Sequence, residues 1–338
     1  MTYAPLPEVD RIDRSLFETE IRSATRPVVL RGIARDWPAV HAARGSVDGG
    51  IAYLKRFDRP NAEPVSAILG EPTIDGRFFY TPDVTGLNFV RGQTPIAPFL
   101  DRLLRDRGHD RPYAMAIQSL PLPQLLPGFA EENSCPLLPP SVVPRIWLGN
   151  AIRVATHYDL MANIGIVVMG RRRFTLFPPD QIANLYMGPL ELTPAGTPVS
   201  MVDPDAPDLD RFPLFAKAAA VAQSATLEPG DGIYIPFHWW HAVRSLEPVN
   251  AFVNYWWNAA PPSAANPYDA LLHALVAIAA LPDDQRAAYR AMFDHLIFRP
   301  DGDPAAHLPD EARGVLGRID PPTVARIRAT LLDAIGRW

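Results

Sequence analysis

Two residues with metal-binding chemistry, His157 and Asp159, stand on either side of Tyr158. On a β-strand, residues i and i+2 point to the same face. One imidazole and one carboxylate then converge beside a sheet. A further histidine would make a two-histidine, one-carboxylate set. That set holds Fe(II) in non-haem oxygenases and leaves positions open for oxygen and a chelating co-substrate. The pair alone carries little weight. With 8 histidines in 338 residues, such a spacing is close to a chance event, and a surface histidine beside a solvated aspartate is the ordinary explanation.

The elements around the pair give it a frame. Short apolar or β-branched runs at 113–118, 145–148, 152–157, 163–169, 173–177, 232–235, 242–245 and 251–257 are separated by Pro, Gly and Asn. Runs of this length and spacing predict an antiparallel sandwich or barrel. Residues 1–111 instead alternate strands with helices, with helices expected at 16–23, 48–57 and 95–107 and a buried strand at 27–31. A Pro-rich excursion fills 177–225, and an insertion that long in a compact domain usually serves function. After 258 the strand signals stop. Helices are expected at 266–280, 283–298 and 322–338, with Asp283 as an N-cap. Residues 271–280 are apolar nearly all round, which predicts a helix covered on several sides. A second subunit is the natural cover.

Composition narrows the function classes. Hydrophobic residues make up 48% and charged residues 20%, which excludes a disordered, coiled-coil or collagen-like chain. The net charge of −5 argues against nucleic acid as a general partner, because such binders carry a basic footprint. Cys135 is the only cysteine, so no intrachain disulfide forms and a reducing, cytoplasmic location is expected. Residues 1–14 are acidic and lack an apolar core, unlike a signal peptide. No apolar run is long enough to span a membrane.

Further motifs flank the pair. Downstream, Glu228, Pro229, Gly230 and Asp231 lead into an apolar run, then Pro236, His238, Trp239, Trp240 and His241. Between them lie Gly170 to Gln181 (GRRRFTLFPPDQ), Ser200 to Asp203 (SMVD), Pro207–Asp208 and Arg211 to Pro213 (RFP). Near the start, residues 27–32 read PVVLRG, followed by Trp37 and Pro38. Over 27–257 the chain resembles the cupin-like branch of the JmjC family, the branch that contains the hypoxia-inducible-factor asparaginyl hydroxylase.

The resemblance implies Fe(II) on His157, Asp159 and His241, with His238 as a competitor for the last place. It implies 2-oxoglutarate and O2 as co-substrates. The family usually holds the far carboxylate of 2-oxoglutarate with a Lys two residues after a Gly. Here Gly170 is followed by Arg171 and Arg172, so Arg172 takes that place. Lysine occurs only at Lys55 and Lys217, and a guanidinium pairs bidentately with a carboxylate. Alternation puts Arg171 and Arg173 on the opposite face. Asn163 and Asn254 match amides that line the co-substrate pocket, Trp256 shares the parity of Asn254, and Gln118 resembles a Gln near the substrate path. Ala116 stands where a Tyr is usual and Val154 where a Thr is usual, so the expected pocket is less polar.

The expected fold is mainly β with α. A double-stranded β-helix (jelly-roll, or cupin) core at 112–258 and an N-terminal α/β decoration at 1–111 form a catalytic domain, 1–258. A helical segment at 259–338 is expected to make a homodimer. The expected activity is hydroxylation of a protein, peptide or small-molecule substrate, with no membrane partner. Two alternatives stand beside it. One is a metal-dependent cupin isomerase, lyase or decarboxylase that works without 2-oxoglutarate. The other is a catalytically silent binding protein.

Overall fold

Eight strands between residues 144 and 257 form the centre of the fold: β1 (Pro144–Gly149), β2 (Arg153–His157), β3 (Ala162–Met169), β4 (Arg172–Phe177), β5 (Gln223–Leu227), β6 (Gly232–Ile235), β7 (Trp240–Ser245) and β8 (Asn250–Trp257). They form two sheets with orders β6-β3-β8-β1 and β5-β4-β7-β2, all core neighbours antiparallel. The chain changes sheet at almost every turn, which is the jelly-roll arrangement. These coordinates come from a computed structural model, which describes residues 1–59, 62–258 and 266–337.

N-terminal strands widen both sheets. Val28–Arg31 and Glu8–Asp10 continue the first sheet beyond β6, while Ala114–Pro121, Val65–Gly70 and Phe89–Thr94 continue it beyond β1. Ala4–Pro5 and Arg77–Phe78 flank the second sheet. Alternation sorts the apolar side chains into layers. Ile146 and Leu148 of β1 pack outward with Ile51, Leu54, Phe99 and Leu100 of the N-terminal helices. Trp147, between them, points into the jelly roll with Val167, Phe174, Leu176, Ile233 and Phe252. Gly170 makes the β3–β4 turn at φ +75°, where a Cβ would lie 2.3 Å from Asn250 Oδ1. This turn sets which residues of β4 face inward.

The Asp231 carboxylate ties the β5–β6 turn to the N-terminal segment. It accepts from Gly32 N (2.9 Å), Arg31 Nη1 (2.6 Å) and Glu228 N (3.1 Å). Removing it leaves Arg31 and two amides short of a partner. Asp231→Ala is expected to lower stability by about 2–4 kcal/mol in urea unfolding. A loss near zero would show that the tie does not hold the turn.

Several elements differ from expectation. The Pro-rich excursion contains the helix Phe215–Val221 and the start of β5. Its Leu185, Val202 and Phe215 pack on Tyr158, Phe177 and Trp240, the outer face of the second sheet. The helix expected at 16–23 is one α-turn, Arg14–Leu16, followed by a π-helix, Phe17–Ile21. Asp283 is the first helical residue of Asp283–Phe293, and Pro282 occupies the cap without a side-chain bond.

The chain divides into two compact units, Met1–Ala259 and Ala260–Trp338. The expected boundary at 258/259 and the helix end expected at Trp338 both reach residues outside the described ones. Helices Pro267–Ala277, Asp283–Phe293 and Pro321–Ile335 form the second unit, with a π-helical turn at Asp294–Phe298. The helix at 267–277 has no buried residue, so the chain itself does not cover it; the cover expected for it is a second subunit. Leu271, Leu272, Leu275 and Val276 are exposed, as are Phe298 and Leu332. No described helix is long and apolar enough to cross a membrane.

Candidate metal and co-substrate site

Adjacent strands bring the two histidines face to face. His157 ends β2, His241 is the second residue of β7, and the two are register partners with ring centroids 4.3 Å apart. Asp159 lies just past the end of β2, in the turn into β3. Alternation puts the neighbours on the other side: Tyr158 and Trp240 pack edge to face, 4.7 Å between centroids, in the outer apolar cluster. The excursion props this segment from outside. Val199 bridges to His157, Ser200 N donates to Thr156 O (2.7 Å), and Thr197 Oγ1 donates to Tyr158 O (2.7 Å).

The hydrogen bonds orient all three side chains. His157 Nδ1 donates to Ala155 O (2.9 Å), and His241 Nδ1 donates to Trp239 O (3.0 Å). A carbonyl only accepts, so Nδ1 carries a proton in each ring and Nε2 is the atom left to act as a ligand. Asp159 Oδ2 accepts from Asn163 Nδ2 (3.1 Å) and Trp256 Nε1 (2.9 Å), and the same oxygen lies 3.7 Å from His241 Nε2. Burial, and next to it the neighbouring His241, pushes His157 down to about 4, so it is neutral at pH 7. One ligand atom from each of His157, Asp159 and His241 lies within 4.8 Å of the others. Atoms bonded to one ion at about 2 Å lie at most about 4 Å apart, so the three are within about 1 Å of ligating distance. Two imidazoles and a carboxylate, each oriented by a backbone or side-chain partner, are a donor set that fits a divalent transition metal.

His238 does not join the set. It sits in the β6–β7 turn at φ +61°, with its ring stacked on Phe237 (4.2 Å) and tilted against Tyr158 (4.8 Å). Its place is at the rim.

Arg172 points into the jelly roll with Phe174 and Leu176. It is buried, its guanidinium lies 4.6 Å from the Phe252 ring centroid, and its Nε has no hydrogen-bond partner among the described residues. Burial alone lowers it to about 9, so it remains charged at neutral pH. A buried cation without an acid is costly, and an anionic ligand is its natural complement. Gly165 makes room for this arrangement: a Cβ there would lie 2.1 Å from Phe252 Cζ. Arg171 pairs with Glu247 (2.6 Å) and Arg173 with Asp205, both away from the interior.

Asn163 and Asn254 are buried one row apart, with Asn254 Nδ2 donating to Asn163 Oδ1 (3.4 Å). Trp147 Nε1 donates to Asn254 Oδ1 (2.7 Å). Trp147 was not expected at the site, although its inward parity in Arg145–Ile146–Trp147–Leu148 was a readable signal. Gln118 is half-buried at a register slip between Ile117 and Leu120, beside Ser119. Ala116 and Val154 fall in one apolar cluster with Ile68, Phe78, Phe89 and Ile152, so neither position offers a hydroxyl.

Known proteins match this region. A family profile described as a cupin-like domain covers residues 14–263. HSPB1-associated protein 1 of Rattus norvegicus is 37% identical over 115 residues, 33% of this chain and 23% of that protein. The tRNA wybutosine-synthesizing protein 5 of Homo sapiens is 34% identical over 161 residues, 43% of this chain and 48% of that protein. The mouse form is 34% identical over 153 residues, 41% of this chain and 45% of that protein. These alignments span roughly a quarter to a half of the relatives' own lengths.

Proposed function

The chain belongs to the cupin-like domain family, and on that premise we propose that it is an Fe(II)- and 2-oxoglutarate-dependent oxygenase that hydroxylates a protein, peptide or small-molecule substrate. The observation that carries this reading is the convergence of His157, Asp159 and His241 in one jelly roll with the buried, unpaired Arg172. His157 and His241 would hold the ion through Nε2, with Asp159 as the carboxylate ligand, its Oδ2 lying 3.7 Å from His241 Nε2. Trp256 and Asn163 keep the carboxylate turned toward the metal. Arg172 takes the far carboxylate of 2-oxoglutarate, with Phe252 limiting where it lies. Bound there, iron with 2-oxoglutarate and O2 supplies the oxidising chemistry, which ends in succinate, CO2 and one oxygen atom in a substrate C–H bond. The apolar walls exclude water from that chemistry.

Succinate release from 2-oxoglutarate, measured with and without Fe(II), tests the reading. Metal-dependent release is expected, and its absence under reducing, aerobic conditions would count against the activity. Ala116 and Val154 favour the second reading, a cupin that uses the metal without 2-oxoglutarate. Arg172 opposes it.

The second unit serves as a homodimer surface in this account. Its exposed Leu271, Leu275, Val276 and Phe298 are the kind of apolar patch that marks an interface. Light scattering of the full chain is expected to give twice the 37.3 kDa protomer mass, and a chain ending at Asn258 is expected to be monomeric or to aggregate. A full-length monomer at micromolar concentration would contradict the dimer. A single buried thiol, Cys135, suits a cytoplasmic location.

A further inference from the structure

We propose that Arg145 is a substrate-recognition residue, which selects a substrate bearing an anionic oxyacid group, a carboxylate or a phosphate, near the oxidised carbon. The inference rests on the oxygenase reading for its position. Register places Arg145 opposite Asn254, and Asn254 opposite Gly165. Arg145 therefore shares one inward row with a polar pocket amide and a residue without a side chain. Its neighbour in parity, Trp147, faces the interior, while Ile146 and Leu148 face the outer core.

The guanidinium lies 5.9 Å from the ring centroid of Trp256, and that same indole donates to Asp159. Arg145 is thus one indole away from a candidate metal ligand, at the same end of the jelly roll. Its Nε and Nη2 donate to Ser119 O (3.0 and 2.6 Å), and Nε also reaches Ser119 Oγ (2.7 Å). Those bonds fix the head at the strand bulge and leave Nη1 uncommitted. Among the described residues no carboxylate pairs with Arg145, although most partly buried arginines of the first unit, such as Arg31, Arg153 and Arg173, have an acid. A half-buried guanidinium, held in place by neutral acceptors and without a counter-ion, is prepared for an incoming anion. Arg172 is deeper and on the other sheet, so the two cations serve two different anions.

The test uses the full-length protein saturated with Mn(II) and 2-oxoglutarate, with inorganic phosphate and benzoate as probes. Equilibrium dialysis measures binding of each probe to wild type, Arg145→Gln and Arg145→Lys. Glutamine still donates to Ser119, so it removes the charge and keeps the bulge. Saturable binding of one probe to wild type is expected, weakened about tenfold or more in Arg145→Gln and partly retained in Arg145→Lys. The bound probe should relax in NMR through the nearby Mn(II), and the probe that binds tells phosphate from carboxylate. Equal binding to wild type and Arg145→Gln, or no saturable binding of either probe, overturns the proposal. Failure of Mn(II) to bind would instead strike the oxygenase reading. The dialysis comparison would still decide the role of Arg145.

Discussion

Replacing His157, Asp159 or His241 by alanine is expected to remove Fe(II)-dependent turnover of 2-oxoglutarate, with metal affinity reduced at least about a hundredfold. A lost ligand should exceed the roughly 10–100-fold effect of a lost supporting residue. The fold should survive, because its apolar clusters close without the metal: Val167, Phe174, Ile233 and Phe252 pack on one another inside the jelly roll. Trp256→Phe gives a graded comparison. It keeps the ring but removes the donor to Asp159 Oδ2, and should weaken metal binding by about tenfold or more. Succinate release and Mn(II) affinity check these variants, with urea unfolding as the control. Full turnover by any of the three alanine variants would dismiss the ligand assignment.

The second large effect belongs to Arg172. If it pairs with the far carboxylate of 2-oxoglutarate, truncation leaves that carboxylate desolvated and unpaired. Such losses cost about 2–5 kcal/mol, which at ~1.4 kcal/mol per decade is about one and a half to three and a half decades in affinity. Arg172→Ala should therefore raise the Michaelis constant for 2-oxoglutarate by that factor while leaving metal affinity nearly unchanged. Arg172→Lys should recover part of the loss, since it keeps the charge but not the fork. Arg171→Ala and Arg173→Ala should change little, because their partners, Glu247 and Asp205, lie outside the interior. An unchanged Michaelis constant in Arg172→Ala would remove the anchor and favour a cupin that works without 2-oxoglutarate.

The sequence carried the jelly roll where alternation was strong. The runs that became β1, β3, β6 and β8 are rich in Ile, Val and aromatics, and their bounds were readable to within a residue or two. β5 was missed because Gln223–Ser224–Ala225–Thr226–Leu227 has one strongly apolar residue and lies at the end of a Pro-rich stretch. The two-residue strands Ala4–Pro5 and Arg77–Phe78 are too short to carry a period. At the site, parity put His157 and Asp159 on one face and Arg172 opposite Arg171 and Arg173, while the resemblance supplied His241 and the role expected of Arg172. They could not give the bonds that orient Asp159, since Trp256 and Asn163 meet it only through the β3–β8 register. Nor could they show Arg145 beside Trp256, because the bulge at Ser119 that holds it has no local signature.

Anaerobic titration of the purified protein with Fe(II), with and without 2-oxoglutarate, tests the central claim most directly. Iron chelated by the keto acid end of 2-oxoglutarate absorbs visible light through metal-to-ligand charge transfer. The expected result is a visible band that needs both iron and 2-oxoglutarate, saturates at one iron per chain, and disappears in Asp159→Ala. Tight Fe(II) binding with no such band at any 2-oxoglutarate concentration would contradict it.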